Sequence, residues 1–335
     1  MKITIGEIAN LAGVSKTTVS RVLNKKPDVD PATRERILAL ISEYDFQPNA
    51  FAKAISTQSN HYIGLLIPHK AEYIFSNSFY TEVMRGVSTE VDGCNYYLLI
   101  CYAHDVNYLD IYRQKRVAGF VLLSPGSYHK GIIESLKTEN IPFVSTAKVT
   151  NEEMVYVDID NFHGGSLVME HLVLLGHERI AYIGKPTLIS SIERMNSHQA
   201  VLEKHGLPYD PSLVLVTHNS SIEDGYQSTQ ELLKHPNPPT AIFLANDIMA
   251  VGAIKAIHQA GLRVPEDISV AGFDDIPLAS YSNPPLTTIR QPAYEKGAVA
   301  TRLLIQLLEK QETPSSNILD VELVVRGSTG PVRNR

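Results

Sequence analysis

The sequence predicts a small all-α helix-turn-helix head followed by an α/β core of two Rossmann-like lobes with parallel sheets. Three observations predict it. Two short amphipathic helical patterns flank a Gly turn near the N-terminus. From residue 62 onward, short apolar runs alternate with helical stretches, the pattern of parallel sheets wound on both faces. The charge is also divided: residues 1–57 carry eight Lys/Arg against six Asp/Glu, and the remainder 22 against 30. A basic head on an acidic body fits a nucleic-acid contact confined to the head, because phosphates must be met by Lys and Arg.

With 335 residues, of which 44% are hydrophobic, the chain can fill two or three cores. Cys94 and Cys101 lack Cys-x-x-Cys spacing and a nearby His pair, so neither a disulfide framework nor a zinc site is expected. No apolar run approaches the ~18 residues of a membrane span and no signal peptide is read, so the expected compartment is the cytoplasm, with no membrane partner.

In the head, Ile5, Ile8, Ala9 and Ala12 share one helical face, and Gly13-Val14 ends that helix. Ser15 is suited to cap a second helix from Lys16 to about Leu23, with Val19, Val22 and Leu23 facing inward. Pro31 starts a third helix running to Glu43, where its missing N–H costs nothing, and Ile37, Leu38 and Ile41 are expected to close a three-helix core. The outward face of the second helix carries Lys16, Thr17, Ser20 and Arg21, donors suited to base edges and phosphates.

The run Thr4-Ile5-Gly6-Glu7-Ile8-Ala9, followed by Ala12-Gly13-Val14-Ser15-Lys16-Thr17-Thr18-Val19-Ser20-Arg21-Val22-Leu23-Asn24, resembles the head of the lactose/galactose repressor (LacI/GalR) family. The resemblance implies that Lys16, Thr17 and Arg21 read bases in the major groove of operator double-stranded DNA and that Ser15 and Ser20 lie close to phosphates. It also places Thr4 and Asn24 in the DNA-contacting set.

Pro48 to Ile55 is a short helix-competent stretch, followed by the polar linker Ser56 to Asn60. It resembles the family's hinge helix, which orders on DNA and wedges an apolar side chain into the minor groove. By that resemblance Asn49, Ala52, Lys53 and Ile55 contact DNA. Lys53 stands where the family's pattern has Arg and Ile55 where it has Leu, and a β-branched wedge is stiffer than Leu. The expected division is a head at 1–47, a hinge at 48–60 and a core at 61–330, with lobe one at about 61–158 and 290–317 and lobe two at about 159–289 and 318–330.

The expected core strands are Tyr62 to Pro68, Tyr96 to Cys101, Phe120 to Ser124, Phe143 to Ser145, Arg179 to Gly184, Leu213 to Val216, Ala241 to Leu244 and Ile268 to Phe273. Ligands of open parallel sheets bind beyond the carboxyl ends of strands, which singles out Asn246 and Asp247 after one run and Asp274 and Asp275 after another.

The core is similar to that of the same family over nearly its full length. The matching stretches are Leu175-Gly176-His177-Glu178-Arg179-Ile180, Asn246-Asp247-x-Met249-Ala250-x-Gly252, Val264 to Val270, Gly272-Phe273-Asp274-Asp275, Pro284 to Ile289 with Gln291, and Val325 to Thr329. The resemblance implies a periplasmic-binding-protein-like core with a small sugar effector between the lobes. Arg194, Asn246 and Asp274 then bind effector hydroxyls, Phe79 and Tyr80 pack the ligand, and Gln291 lies near the crossover between lobes.

Two departures bear on the effector: Ala147-Lys148 stands where the family often has Asp-Arg, and Ser197 where it usually has Gly. The loop from Pro68 to Ser78 is similar to that of maltose-type members.

One head reads one half-site, so a homodimer on a pseudopalindrome is expected, with effector binding biasing the hinges between two states. The implied function is a transcriptional repressor of a carbohydrate-utilisation operon, released by its sugar. Corepression or dependence on a phosphocarrier protein are the alternatives within the family, and a sugar-binding protein without DNA activity is the alternative class. Gly-x-Gly-x-x-Gly after a strand, a phosphate-cradling Gly-x-x-x-x-Gly-Lys loop and Gly-x-Ser-x-Gly are absent, so no enzyme, catalytic residue, cofactor or metal is expected.

Overall fold

The computed structural model describes residues 3–23, 26–46, 61–104, 107–126, 129–149, 152–185 and 189–333. The hinge stretch and Asn24, Asn49, Ala52, Lys53 and Ile55 lie outside the described residues. The chain divides into two units, Met1–His61 and Tyr62–Arg335.

In the first unit, α1 (Ile5–Ala12) begins with a reciprocal cap in which the Thr4 hydroxyl accepts from the Glu7 N–H while the Glu7 carboxylate accepts from the Thr4 N–H at 2.7 Å. It ends at Gly13, whose φ of 66° is the left-handed turn that glycine adopts without a Cβ penalty. Ser15 Oγ accepts from the Thr18 N–H at 3.1 Å at the head of α2 (Lys16–Leu23), and Asp30 caps α3 (Pro31–Glu43). Ile8, Ala9, Ala12, Val19, Val22 and Ile37 are buried together. Leu38 corrects the expectation: it is half exposed, and Leu40 packs with Ile41 instead. Leu38 stands one residue, about 100°, around the helix from the fully buried Ile37 and so faces outward.

The second unit contains two parallel sheets, as predicted. In the first lobe β1 (Tyr62–Ile67), β2 (Tyr97–Tyr102), β3 (Gly119–Leu122), β4 (Phe143–Ser145), β5 (Tyr156–Ile159) and β11 (Ser316–Leu319) stand in the order β11-β5-β4-β3-β1-β2, every pair parallel. In the second lobe β6 (Ile180–Gly184), β7 (Val214–Val216), β8 (Ala241–Leu244) and β9 (Ser269–Ala271) are ordered β7-β6-β8-β9, again parallel. A short antiparallel ribbon, β10 (Thr288–Arg290) with β12 (Glu322–Val324), lies on the paths between the lobes. The sequence reading missed β5, β10, β11 and β12. Each has three or four residues, and β11 and β12 are partly exposed and polar, too short for a period to show.

The same close-packing device recurs in both lobes. α5 (Ser78–Gly93) and α13 (Ala293–Leu308) cross at Gly86 and Gly297, where a Cβ would fall 2.0 Å from the Tyr294 and Val83 carbonyl oxygens respectively. α10 (Ile222–Leu233) and α11 (Asp247–Gln259) cross at Gly225 and Gly252, with 2.1 Å to Met249 O and 2.0 Å to Ile222 O. Each pair of helices is thereby in backbone contact, which fixes the side chains at their N-terminal ends.

Candidate functional site

In the head, Lys16, Thr17, Ser20 and Arg21 occupy one arc of about 140° on α2 at 100° per residue, opposite the buried Val19 and Val22. Lys16, Thr17 and Arg21 are exposed and Ser20 is half-buried. The Lys16 stem lies over Gly6, where a Cβ would be 2.9 Å from Lys16 Cε. Arg21 Nη1 is 3.2 Å from Asp28 Oδ2, an exposed pair that holds the guanidinium only loosely. Thr4 and Ser15 are engaged as caps, their hydroxyl oxygens accepting from the Glu7 and Thr18 N–H groups in the first turns of α1 and α2.

In the core, the structure brings all six expected effector residues, Phe79, Tyr80, Arg194, Asn246, Asp274 and Gln291, to the wall of one cavity of about 80 Å3. They come from both lobes. Asn246 follows β8 and caps α11, its Oδ1 accepting from the Met249 N–H at 2.9 Å. Asp274 follows β9 at φ 122°, a strained conformation for a non-glycine residue. The next residue anchors it: the Asp275 carboxylate accepts from Arg290 Nε at 2.8 Å and Arg326 Nη2 at 2.6 Å.

Arg194 comes from α9 (Ile189–Lys204). Its Nε and Nη2 donate to Asn161 Oδ1 at 3.1 and 2.7 Å, its Nη1 donates to the Ala245 carbonyl, and its Cζ lies 3.4 Å over the Phe273 ring. The Asp274 carboxylate stands 3.8 Å from Nη1 and accepts from Gln291 Nε2. Burial pushes the Asp274 carboxyl up to about 6, with Arg194, Gln291 and Lys296 holding it from rising further. Burial likewise lowers the Arg194 guanidinium from its usual value, with Asp274 acting in the opposite sense.

Behind Asp274, the fully buried Asp247 carboxylate is raised well above the usual range by burial and by the neighbouring Asp274 charge, although it accepts from the Thr288 hydroxyl and the Ile276 N–H. Phe79 and Tyr80 lie at the start of α5, with their rings 5.3 Å apart and edge to face. The Tyr73 and Tyr80 hydroxyls are 3.2 Å apart.

The sequence reading missed further members of this wall. Asn161 holds Arg194 in place, and Asp158 with Lys296 forms a second buried ion pair at 2.8 Å. Asp158 lies near the end of β5, a four-residue strand without a legible pattern in the sequence, so its place at a strand end is visible only in the fold. Lys296 carries no signal at all, because a lysine in a helix normally reads as solvent-facing. Among the described residues no helix is long and apolar enough to cross a membrane.

Comparison with known proteins agrees with this geometry. Residues 4–49 match the family model described as bacterial regulatory proteins, lacI family, and residues 169–329 match a periplasmic binding protein-like domain. The chain is 34% identical over 329 residues to the probable HTH-type transcriptional repressor ExuR of Bacillus subtilis (strain 168), covering 97% of this chain and 98% of that protein. It is also 34% identical over 334 residues to the ribose operon repressor of Escherichia coli (strain K12), covering 97% and 99%. The crystal structure of the Lac repressor dimer bound to operator and the anti-inducer ONPF superposes with a TM-score of 0.85 at 28% identity, covering 98% of this chain and all of that one. With its matching head, matching core and end-to-end similarity to these regulators, the chain belongs to the lacI family of bacterial regulatory proteins.

Proposed function

We propose that the chain is a homodimeric, cytoplasmic repressor that holds a pseudopalindromic operator through its two heads and releases it when a small sugar occupies the cleft between the core lobes. The observation that carries this reading is the cavity wall, where a buried carboxylate and guanidinium 3.8 Å apart stand with Asn246, Gln291 and two aromatic rings. A carboxylate beside a guanidinium suits a vicinal diol, and ring faces suit the apolar side of a sugar ring.

Family membership supports DNA binding by the head. Among relatives, the name ribose operon repressor supports a sugar-linked operon, and the Lac repressor dimer on its operator supports the dimer. In the head, Lys16, Thr17, Ser20 and Arg21 are the base- and phosphate-reading set, with Thr4, Ser15 and Asn24 beside them and Asn49, Ala52, Lys53 and Ile55 acting from the hinge. The chain is a regulator and not an enzyme.

The volume of about 80 Å3 is far below the ~300–1,000 Å3 of typical small-molecule sites. The lobes therefore separate to admit a ligand and close on it, a two-state motion that the ligand biases by binding one state better.

The test is fluorescence anisotropy of the full chain on operator-like duplexes at two salt concentrations, followed by a sugar panel added to the complex. Selective binding that one sugar reverses supports the proposal. Tighter DNA binding with the sugar would reverse the sign to corepression, and sugar binding without any selective duplex would refute the DNA-binding role.

A further inference from the structure

The first-lobe side of the cavity carries a second buried acid–base pair. Lys296, in the first turn of α13, places Nζ 2.8 Å from Asp158 Oδ1, with side chains only 6% and 9% exposed. The Asp158 carboxylate is also fixed by backbone donors: the Ile159 N–H on Oδ1 and the Lys148 N–H on Oδ2, both at 2.8 Å. An ammonium has three donors, and the one hydrogen bond Lys296 makes among the described residues is to Asp158. The helix contact at Gly297 holds Lys296 against α5, with Nζ 5.8 Å from the Phe79 ring centre.

The cavity is thus bounded by two ion pairs, Lys296 with Asp158 on the first lobe and Arg194 with Asp274 on the second, each balanced in charge. Each offers a donor beside an acceptor, which matches two vicinal hydroxyls: one accepts from the cation and the other donates to the carboxylate. A ligand carboxylate or phosphate would instead bring a further desolvated negative charge beside Asp158, whose own charge is already met. The other cation on the wall, Lys148, is exposed, and Glu193 lies near enough to interact with both Lys148 and Asp158.

We propose that Asp158 and Lys296 form a second hydroxyl-reading subsite, which selects a neutral sugar by two vicinal hydroxyls on the first-lobe side and rejects its acid and phosphorylated analogues. The inference rests on the effector reading above. It also gives Ala147-Lys148 a consequence: the charged pair on this wall comes from the end of β5 and the start of α13, while the loop after β4 contributes a backbone N–H.

The test is isothermal titration calorimetry on the full chain with neutral aldoses, their uronates and their 6-phosphates. Single-deoxy forms of the best ligand are then titrated into the wild type, Lys296→Met and Asp158→Asn. The neutral sugar should bind at least about tenfold tighter than its acid, from the charge penalty above. Removing one hydroxyl should weaken wild-type binding by about 10- to 100-fold, the effect of a hydrogen bond to a charged group, and should cost nothing further in Lys296→Met.

An acid or phosphate that binds tighter than the neutral sugar overturns the subsite, as does a Lys296→Met loss that is equal for the parent sugar and every deoxy form. The acid-to-neutral ratio in the wild type needs no variant, so it decides the matter even if Lys296→Met fails to fold. No binding by any member of the panel overturns the effector reading and the subsite with it. Binding abolished in Arg194→Met but unchanged in Lys296→Met overturns the subsite alone.

Discussion

Arg194 and Asp274 face each other 3.8 Å apart beyond the ends of the second sheet, the guanidinium 8% and the carboxylate 5% exposed. Their charge state is open to pH, because burial lifts the Asp274 carboxyl to about 6. In the proposed sugar site an ionised Asp274 is the form that accepts a hydroxyl and balances Arg194, so sugar affinity should be level above about pH 7 and about tenfold weaker at pH 5, one unit below that value. The Asp274→Asn variant should bind weakly with no such slope. Calorimetry from pH 5 to 8 checks this, and a flat wild-type profile refutes it.

Stability runs by a different rule over the same range. Because the folded Asp274 holds its proton more tightly than the unfolded chain, this group adds stability as pH falls from about 6 toward 3.8. His69 and His129 act in the opposite sense: burial holds both imidazoles below the usual 6.5, His129 down to about 3, so they withdraw stability as pH falls below 6.5. Thermal melts of His129→Gln should show less loss between pH 6.5 and 4.5 than the wild type. An identical pH slope in the variant refutes the assignment.

Asp247 separates hydrogen bonding from charge. Asp247→Asn can turn its oxygen to the Ile276 N–H and its amide to the Thr288 hydroxyl, so at neutral pH it should be as stable as the wild type or more so. Asp247→Leu leaves that buried N–H unpaired and should cost about 1–3 kcal/mol. Urea unfolding of the two variants decides it, and equal losses would count against the argument.

Gly165 leaves room for Ser197: a methyl group at Gly165 would lie 2.1 Å from Ser197 Oγ and 3.2 Å from the Arg194 Cα. Gly165→Ala should therefore push α9 from its neighbouring helix α8 (Asn161–Leu174), cost about 1–3 kcal/mol by overpacking and weaken sugar binding by displacing Arg194. Adding Ser197→Gly should restore part of both. If the double variant is no better than Gly165→Ala, the contact is not the cause.

In the proposed function Arg21 serves DNA reading and not the fold. Its exposed pair with Asp28 is worth roughly 0–1 kcal/mol, so Arg21→Ala should melt within a few degrees of the wild type. It should lose about 1–3 kcal/mol of discrimination for the preferred duplex, the worth of a bidentate base contact. Arg21→Lys should not restore it, because an ammonium lacks the planar fork. Anisotropy titrations check both.

Local chemistry made much of this protein legible in its sequence. Gly13 and Ser15 act on backbone groups a few residues away and Pro31 acts through its own fixed φ, so the head's helices could be bounded without any tertiary knowledge. The apolar strand runs and their intervening helices announced the two parallel lobes, and the motifs that contain Asn246 and Asp274 pointed to the cleft.

What depended on contacts distant in sequence was hidden. Three-residue strands such as β10 and β12 exist because a partner 32–36 residues away supplies their hydrogen bonds. Whether Leu38 or Leu40 entered the head core turned on where neighbouring helices lie. Lys296 and Asp158 are 138 residues apart, and neither has a pattern around it that names the other. Only the packing of α13 on the sheet at β5 brings that ammonium to that carboxylate, because burial and pairing are properties of the packed chain and not of the residue.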